Sequence, residues 1–451
     1  MITSHNQLVL RSGRVVFPEG VRPADIIVRD GRIAAIETHG TESDKNVEDA
    51  GDLVIMAGLV DTHVHINEPG RTEWEGFETA TRAAAAGGIT TLIDMPLNST
   101  PVTTTVSSLN VKLTSAAQKL SVDCGYYAGM IPENSTSLAP LLDAGVVGVK
   151  AFLVHSGIDD FPNATERDLR AAMSVIAKKN LPLLVHCELP DATAYPVLHT
   201  PNSYSEYLDS RPRRWEHDAI DLMIRLCKEY NCRTHIVHLA SADEIPMLRQ
   251  ARKAGLPLTV ETCPHYLFFT AEEIVDGDTR FKCAPPIREK ENRERLWEGL
   301  KEGVIDFIVS DHSPCPPSMK CLESGDFQKA WGGISSLQFG LSIVWTEARQ
   351  RGFCLQHVAR WMSQRPAEFV DLGRTKGSIA AGGDADFVIW DPDASFKVEG
   401  GMIHHRHKVT PYEGRTLFGK VVSTYLRGRK IFDNGNFAKE RTGQIILRNA
   451  A

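Results

Sequence analysis

Residues 58–76 read GLVDTHVHINEPGRTEWEG, an apolar run that ends in two histidines one residue apart and continues into a polar stretch. If the run is a β-strand, His63 and His65 share one face of it, because side chains two positions apart point to the same side. Two imidazoles on one face at the end of a strand are typical of a metal site. The same pair also occurs in strands that bind nothing, so the rest of the chain has to distinguish the two interpretations.

Seven further apolar runs rich in β-branched residues follow the first, and helix-like segments separate most of them. Strands that alternate with helices in this way predict a parallel (β/α)8 barrel of the TIM type over residues 58–375, an α/β fold. A doubly wound open sheet is the rival, but no glycine-rich dinucleotide fingerprint follows the first strand. The eight runs lie at 59–66, 89–96, 122–130, 146–153, 181–188, 233–241, 257–266 and 306–313.

Both ends of the chain have the pattern of short β-strands. Residues 24–37, ADIIVRDGRIAAIE, contain an Asp-Gly hairpin signal, and LRSGRVVFPEG at 10–20 resembles LRGRKIFDNG at 426–435. Gly-Arg hairpins also recur in unrelated β-rich segments. We nevertheless predict that residues 1–57 and 376–451 together form one small β-sandwich domain beside the barrel.

The bulk properties exclude several classes of protein. The chain has 451 residues and a net charge of -7, which does not favour nucleic acid or an anionic membrane as a partner. No apolar run approaches the ~20 residues of a membrane span, and the start of the chain lacks a signal-peptide core. The nine cysteines are scattered without a CxxC pair, which fits reduced thiols. These features predict a soluble cytoplasmic protein.

Polar side chains lie at or near the C-terminal ends of five of the eight runs. In a barrel these ends surround one mouth, so the side chains converge there. Taken singly each has a structural explanation; Asp311, for example, could cap a helix. Together, four imidazoles and a carboxylate suit two divalent ions, zinc foremost, with cobalt, manganese, nickel and iron also tolerated. The predicted ligands are His63, His65, Lys150, His186, His238 and Asp311.

Lys150 is the unusual member of this set because a cationic amine cannot bind a metal. Beside two divalent ions its pKa is expected to fall, so that the neutral amine can react with CO2. The carbamate formed would be an anion with two oxygens, able to bridge two ions. Lys150 is therefore a predicted modified residue, and the alternative is a lysine that pairs with an acid or extends to solvent.

Several motifs resemble those of the cyclic amidohydrolase branch of the amidohydrolase superfamily. They are DTHVH, GVKAF, VHCE, HIVHLAS, ETCPHYL, CAPPIR and SDHSP. Within that branch, HINEPGRTEWEG, MPLNSTP, SDHSPCPP, KAWGGISSLQ and RHKVTPYEGR resemble the members that act on allantoin, a hydantoin ring that bears a ureido group. The resemblance extends from about residue 8 to the C terminus. HLAS and CAPP depart mildly from HVSS and CSPP, which relatives often have.

The resemblance implies an enzyme of purine catabolism that opens the cyclic amide of allantoin to give allantoate. It assigns His63 and His65 to the more buried ion and the other two histidines to the second ion, with Lys150 as the carboxylated bridge. Asp311 would bind metal and act as general base and acid toward a bridging hydroxide. Relatives of this kind are commonly homotetramers, so a homotetramer is expected.

Four residues are the predicted substrate contacts. Asn67 stands where dihydroorotases typically carry an arginine that grips a carboxylate, and an amide instead suits the uncharged allantoin. Asn98 in MPLNS is a second candidate for hydrogen bonds to the ureide, or else a turn residue. The resemblance adds backbone groups at Ala284 and Gly332.

Some alternatives stay open at this point. The same machinery serves hydantoinases, dihydropyrimidinases and dihydroorotases, and some relatives are non-catalytic scaffolds, although these typically lack metal ligands. Arg71 and Trp74 are expected in a loop over the mouth, His235 is expected to be structural, and HHRH at 404–407 is expected in a surface or interface loop.

Overall fold

The computed structural model describes residues 7–42, 46–191 and 196–448. The ends of the predicted terminal domain, residues 1–6 and 449–451, therefore lie outside the described ranges. The N-terminal region forms five strands, which are β1 (Gln7–Phe17), β2 (Gly20–Arg29), β3 (Arg32–Thr38), β4 (Val47–Asp49) and β5 (Val54–Ala57).

Each of the eight predicted runs contains a strand, and neighbouring strands pair in parallel. The third run is interrupted at Tyr127, so that its first part pairs with the second strand and its last part with the fourth. A parallel bridge between Val64 and His312 links the last run to the first. The strands are β6 (Leu59–Val64), β7 (Ile89–Asp94), β8 (Asp123–Tyr126), β9 (Ala128–Gly129), β10 (Val149–Phe152), β11 (Leu183–His186), β12 (Thr234–Ile236), β13 (Leu258–Thr262) and β14 (Phe307–Ile308). The predicted barrel is confirmed.

Helices follow most of these strands and bury one apolar face. In the helix at Glu166–Lys178, a capping box between Thr165 and Asp168 fixes the start, and Leu169, Ala172, Met173 and Ile176 recur at helical spacing on the buried side. The helices are α1 (Phe77–Ala86), α2 (Val106–Ala116), α3 (Ala139–Asp143), α4 (Glu166–Lys178), α5 (Tyr204–Asp209), α6 (Arg213–Tyr230), α7 (Ile245–Lys253), α8 (Pro264–Phe268), α9 (Lys290–Lys301), α10 (Gly340–Gln350), α11 (Leu355–Ala359) and α12 (Arg365–Phe369). Within the described ranges, none of the helices combines the length and the apolar character that crossing a membrane requires.

The C-terminal region adds four strands to the first five. They are β15 (Phe387–Lys397), β16 (Thr416–Leu426), β17 (Arg429–Asp433) and β18 (Asn436–Phe437). The sheet has the order β18-β17-β16-β15-β5-β1-β2-β3, with β4 on β1, so β5 joins the two ends of the chain. The turn at Gly31 meets Arg427, and the sheet encloses a second apolar core that includes Leu10, Ile26 and Phe387.

This arrangement confirms the predicted β-sandwich built from both termini. The exact domain limits stay a prediction. Residues 443–448 belong to the predicted C-terminal part but run beside the barrel, where Ile445 bridges to Cys124 and the Gly443 amide donates to the Leu120 carbonyl.

Candidate metal centre

A cavity of about 840 Å3 lies at the C-terminal ends of the barrel strands. Its wall brings together residues from strands that are distant in sequence, as the barrel topology requires. All six predicted metal ligands line it, namely His63, His65, Lys150, His186, His238 and Asp311.

The first half of the site is formed by β6 and the segment after β14. Asp311 Oδ1 lies 3.3 Å from His63 Nε2 and 3.4 Å from His65 Nε2. Burial lowers the pKa of His63 well below its usual value, so the ring is neutral, as a metal ligand must be. One ligand atom from each of these three residues lies within 4.8 Å of the others, which suits a single ion. Asp311 forms a similar group with Cys263 and His265, neither of which lines the cavity.

His186 and His238 form the second half. Their ring centroids are 4.6 Å apart, and the His238 ring is 5.5 Å from that of His63, so the imidazoles form a continuous row. His186 Nε2 lies 2.7 Å from Glu188 Oε2. Although burial opposes it, the charge of Arg211 holds the pKa of Glu188 at about 2, so this carboxylate accepts the Nε2 proton. His186 Nδ1 then carries the lone pair that a metal needs.

Lys150 belongs to β10 and lines the same cavity as the four histidines. Its side chain is 0% exposed, and its Nζ has no hydrogen-bond partner among the described residues. Burial lowers its pKa to about 8. A buried amine without a partner is costly, and a carbamate that binds two ions would remove that cost. The residues present therefore fit a binuclear site with a carboxylated lysine.

The backbone is strained where the strands end. His238 and Asp311 have φ angles of 39° and 44°, in the left-handed region that residues other than glycine rarely adopt. Asn67 and Asn98 have φ angles of 66° and 67°. Such strain is concentrated at functional sites because the surrounding structure holds a reactive side chain in one direction. Four of the predicted site residues share this left-handed backbone conformation, and no pattern of side chains in the sequence predicts it.

The predicted substrate contacts are placed differently from one another. Asn98, Ala284 and Gly332 line the cavity, and Asn98 Oδ1 is buried without a partner among the described residues. Asn67 is fully buried, its Nδ2 donates to the Pro314 carbonyl at 3.3 Å, and it is not part of the cavity wall. The geometry gives no support to a contact between Asn67 and the substrate. The left-handed backbone at Asn67 directs its side chain toward Pro314, in the loop after β14.

Glu261 is a site residue that sequence reasoning missed. It is 0% exposed, its Oε1 lies 2.5 Å from His63 Nδ1, and its Oε2 lies 3.0 Å from His235 Nε2. A proton on His63 Nδ1 leaves Nε2 free for a metal. An acidic residue inside the apolar run LTVET is the signal that could have revealed it. His235 is buried in β12 outside the cavity wall, with Nδ1 2.8 Å from Thr259 Oγ1.

The surface-loop prediction for residues 404–407 is wrong for His405, which is 0% exposed. Its ring centroid lies 5.4 Å from that of His312, and His312 Nε2 lies 3.2 Å from Glu75 Oε2. Glu75 also accepts a hydrogen bond from the Arg406 amide at 3.1 Å. The fully buried carboxylate of Glu75 needs such hydrogen-bond partners, and residues 404–407 are therefore held against the interior.

Arg71 and Trp74 line the mouth, as expected for a loop over it. The Trp74 ring packs edge-on against Trp331, with centroids 4.8 Å apart. Arg71 Nη1 donates to the Asn98 carbonyl at 3.0 Å, and Nη2 lies 3.4 Å from Asp160. The polar loop of the first barrel strand is therefore connected to the loops of the second and fourth.

The chain is similar to known proteins over nearly its whole length. The Amidohydrolase family matches residues 54–431. An allantoinase from Streptomyces avermitilis is 50% identical over 444 residues, covering 98% of this chain and 99% of its own, and an allantoinase from Arabidopsis thaliana is 44% identical over 467 residues, covering 98% and 91%. The solved structure of L-hydantoinase (dihydropyrimidinase) from Arthrobacter aurescens is similar with a TM-score of 0.90 and 31% identity, covering 98% of this chain and 99% of that chain. The chain therefore belongs to the amidohydrolase family, and within it to the group of the allantoinases.

Proposed function

We propose that this protein hydrolyses the ring amide of allantoin to allantoate with two divalent ions bound at the barrel mouth. The observation that carries the proposal is the convergence of four imidazoles, the Asp311 carboxylate and the unpartnered amine of Lys150 on one cavity. This donor set suits zinc first, and cobalt, manganese, nickel or iron as well. The substrate is inferred from the relatives that are named allantoinases.

Separate pairs of histidines would hold the two ions. His63 and His65 would hold one ion, the other two histidines the second, and Lys150, after reaction with CO2, would bind both through its carbamate oxygens. Asp311 stands beside the first pair. When bound, such ions polarise a carbonyl and lower the pKa of water to about 7.

Asp311 is the residue that we assign to proton transfer. Hydrolysis places the oxygen of water on the ring carbonyl carbon and a proton on the leaving ring nitrogen. The Asp311 side chain is 13% exposed and lines the cavity, so it can accept the proton of water and pass it to that nitrogen. Its strained backbone holds it in this direction.

The rest of the substrate would contact Asn98 and the backbone at Ala284 and Gly332. Asn98 lines the cavity with its Nδ2 3.3 Å from His65 Nδ1, and we assign its amide a hydrogen bond to the ureide. A Cβ added at Gly332 would lie 3.8 Å from the Ala284 Cβ, so the two backbone segments face each other closely. A flat amide ring fits against such a wall.

A substrate panel tests the proposal. Zinc-loaded protein is assayed with allantoin, hydantoin, dihydrouracil and dihydroorotate while bound metal is measured by elemental analysis. We expect two ions per chain and a kcat/KM for allantoin about 100-fold above the others. Preference for another ring would favour the hydantoinase, dihydropyrimidinase or dihydroorotase alternative, and a metal-free inactive chain would favour a scaffold.

The proton-transfer role predicts the behaviour of Asp311→Asn. The amide cannot accept the proton, so kcat for allantoin is expected to fall by roughly 10²- to 10⁴-fold while part of the metal stays bound. Near-normal turnover in this variant would refute the role. We further propose the homotetramer that the family resemblance implies and the cytoplasmic location that the composition predicts; light scattering of the purified protein and cell fractionation test them.

A further inference from the structure

Two lysines beside the cavity have no carboxylate partner among the described residues, although both are almost fully buried. Lys282 is 9% exposed and Lys320 is 5% exposed. Burial lowers the pKa of Lys282 to about 7 and that of Lys320 to about 8. Burying an amine without a counter-charge costs stability, whereas an apolar side chain of similar length would not carry this cost. The proposed mechanism uses neither residue.

Both lysines donate to backbone carbonyls on the cavity wall. Lys282 Nζ donates to the Gln328 carbonyl at 3.3 Å and to the Ala330 carbonyl at 2.5 Å. Lys320 Nζ donates to the Lys282 carbonyl at 3.1 Å and to the Trp331 carbonyl at 3.0 Å. We call the two lysines with these four carbonyls the lysine clamp. The clamp ties residues 282–284 to residues 328–332.

The two tied segments have few other regular hydrogen bonds. Residues 321–339 contain no strand or α-helix, and their backbone pairing with the barrel is a single parallel bridge between Ile334 and His312. The Trp331 amide donates to the Met319 carbonyl at 2.8 Å, and the Tyr207 hydroxyl donates to the Cys283 carbonyl at 2.6 Å. Within the described chain, the hydrogen bonds that connect residues 282–284 with residues 328–332 are those of the clamp.

We propose that Lys282 and Lys320 are positioning residues that set the affinity for the substrate by fixing the backbone at Ala284 against that at Gly332. This inference rests on the proposed function, because it concerns the same cavity. The clamp reaches neither the histidines nor Asp311, so it acts on binding and not on the metal centre. Loss of either lysine leaves two carbonyls without a donor and lets the segments separate.

The test compares Lys282→Met, Lys320→Met and the double variant with wild type in the metal-loaded protein. Each single variant is expected to raise KM for allantoin about 10-fold and to change kcat less than about threefold. The double variant is expected to raise KM by less than the product of the two, because both lysines hold the same pair of segments. Metal content is expected to stay at the wild-type value.

Two controls keep the result interpretable. Lys253→Met removes one positive charge from an exposed site at the end of α7 and is expected to leave KM unchanged. Lys282→Arg keeps two donors and is expected to restore KM to within about threefold of wild type. If a methionine variant does not fold, the arginine variant and hydrogen exchange of residues 328–332 still test the clamp.

The outcomes separate the clamp from the proposed function. An unchanged KM in both single variants, or loss of bound metal with KM unchanged, would overturn the clamp. Wild-type protein without activity on allantoin would overturn the proposed function instead. In that case faster amide exchange of residues 328–332 in Lys320→Met than in Lys253→Met would still support the clamp, and equal exchange would refute it.

Discussion

Two buried lysines have opposite surroundings. Lys150, in the barrel mouth, is 0% exposed, and its Nζ has no hydrogen-bond partner in the described ranges of the chain. Lys376, where the barrel meets the β-sandwich, is 6% exposed. Its Nζ lies 2.6 Å from Asp386, 2.9 Å from Asp123 and 3.3 Å from Asp384. Lysine is thus without a hydrogen-bond partner in one place, where Nζ lies 4.8 Å from the centroid of the Phe152 ring, and among three carboxylates in the other.

The pKa values follow these surroundings. Burial lowers the pKa of Lys150 to about 8. Burial acts on Lys376 in the same direction, but the carboxylates of Asp386 and Asp123 outweigh it and raise its pKa. An amine kept buried without a partner weakens the fold, so its presence points to chemistry. An amine surrounded by carboxylates, such as Lys376, stabilises the contact between the barrel and the β-sandwich. Mutation of Lys150 should therefore reduce activity, whereas mutation of Lys376 should reduce stability.

The largest expected effect is that of Lys150→Met on activity. Because the proposed carbamate binds both ions, we expect kcat/KM for allantoin to fall on the order of 10³-fold or more and bound metal to fall below two per chain. The melting temperature of the metal-free protein is expected not to decrease, since an unpartnered amine is removed. The intact mass of wild type should also show the added CO2. An active, metal-loaded Lys150→Met enzyme would show that Lys150 is not needed for metal binding or activity and would contradict its contrast with Lys376.

Lys376→Met should have the second largest effect, on stability. Removing the lysine leaves three carboxylates close together, of which Asp123 keeps Arg427 as a partner at 2.6 Å, and breaking a buried ion pair from one side costs about 3–5 kcal/mol. Urea unfolding followed by circular dichroism measures this loss, and turnover per bound metal should stay near wild type at low temperature. Lys430→Met, at a partly exposed pair with Glu48, is the control and should cost about 1 kcal/mol or less. Equal losses in the two variants would contradict the structural role of Lys376.

The strand-end pattern in the sequence predicts the barrel and the six residues that converge at its mouth, because parallel strands place their C-terminal ends together. It does not predict which distant segments close around them. Glu75 and the Arg406 amide are 331 residues apart in sequence, and nothing local in HHRH indicates that His405 is buried. The substrate contact at Asn67 rests on a resemblance between motifs, which does not report that this residue has a φ of 66° and is fully buried, and the contact stays a prediction.

Glu261→Gln should have a third, smaller effect, confined to the metal centre. The carboxylate 2.5 Å from His63 Nδ1 holds the ring so that Nε2 faces the site, and partners of this kind typically change metal affinity by about 10- to 100-fold. Competition with a chelator measures the zinc dissociation constant. Glu302→Gln, at an exposed pair with Arg249, is the matched control and should not change it. An unchanged dissociation constant in Glu261→Gln would remove Glu261 from the centre.

The smallest expected effect lies farthest from the mouth, at the Arg11–Asp25 pair of the β-sandwich. Arg11 donates to both Asp25 oxygens at 2.8 Å and 2.7 Å and holds the pKa of Asp25 at about 2. A carboxyl group whose pKa is lower in the folded state adds stability above its unfolded pKa of about 3.9, and this stability is lost as the pH falls toward the folded value.

We therefore expect Asp25→Asn to be less stable than wild type between pH 5 and 7, by urea unfolding of the metal-free protein, and the difference to shrink between about pH 4 and about pH 2. Activity at pH 7 is expected to be unchanged, because Arg11 and Asp25 lie in β1 and β2 of the β-sandwich and do not line the cavity. A stability difference that stays constant down to about pH 2 would show that the amide disturbs packing and not charge. Asp25 would then not be a buried group that stabilises the fold through an ion pair, as Lys376 is.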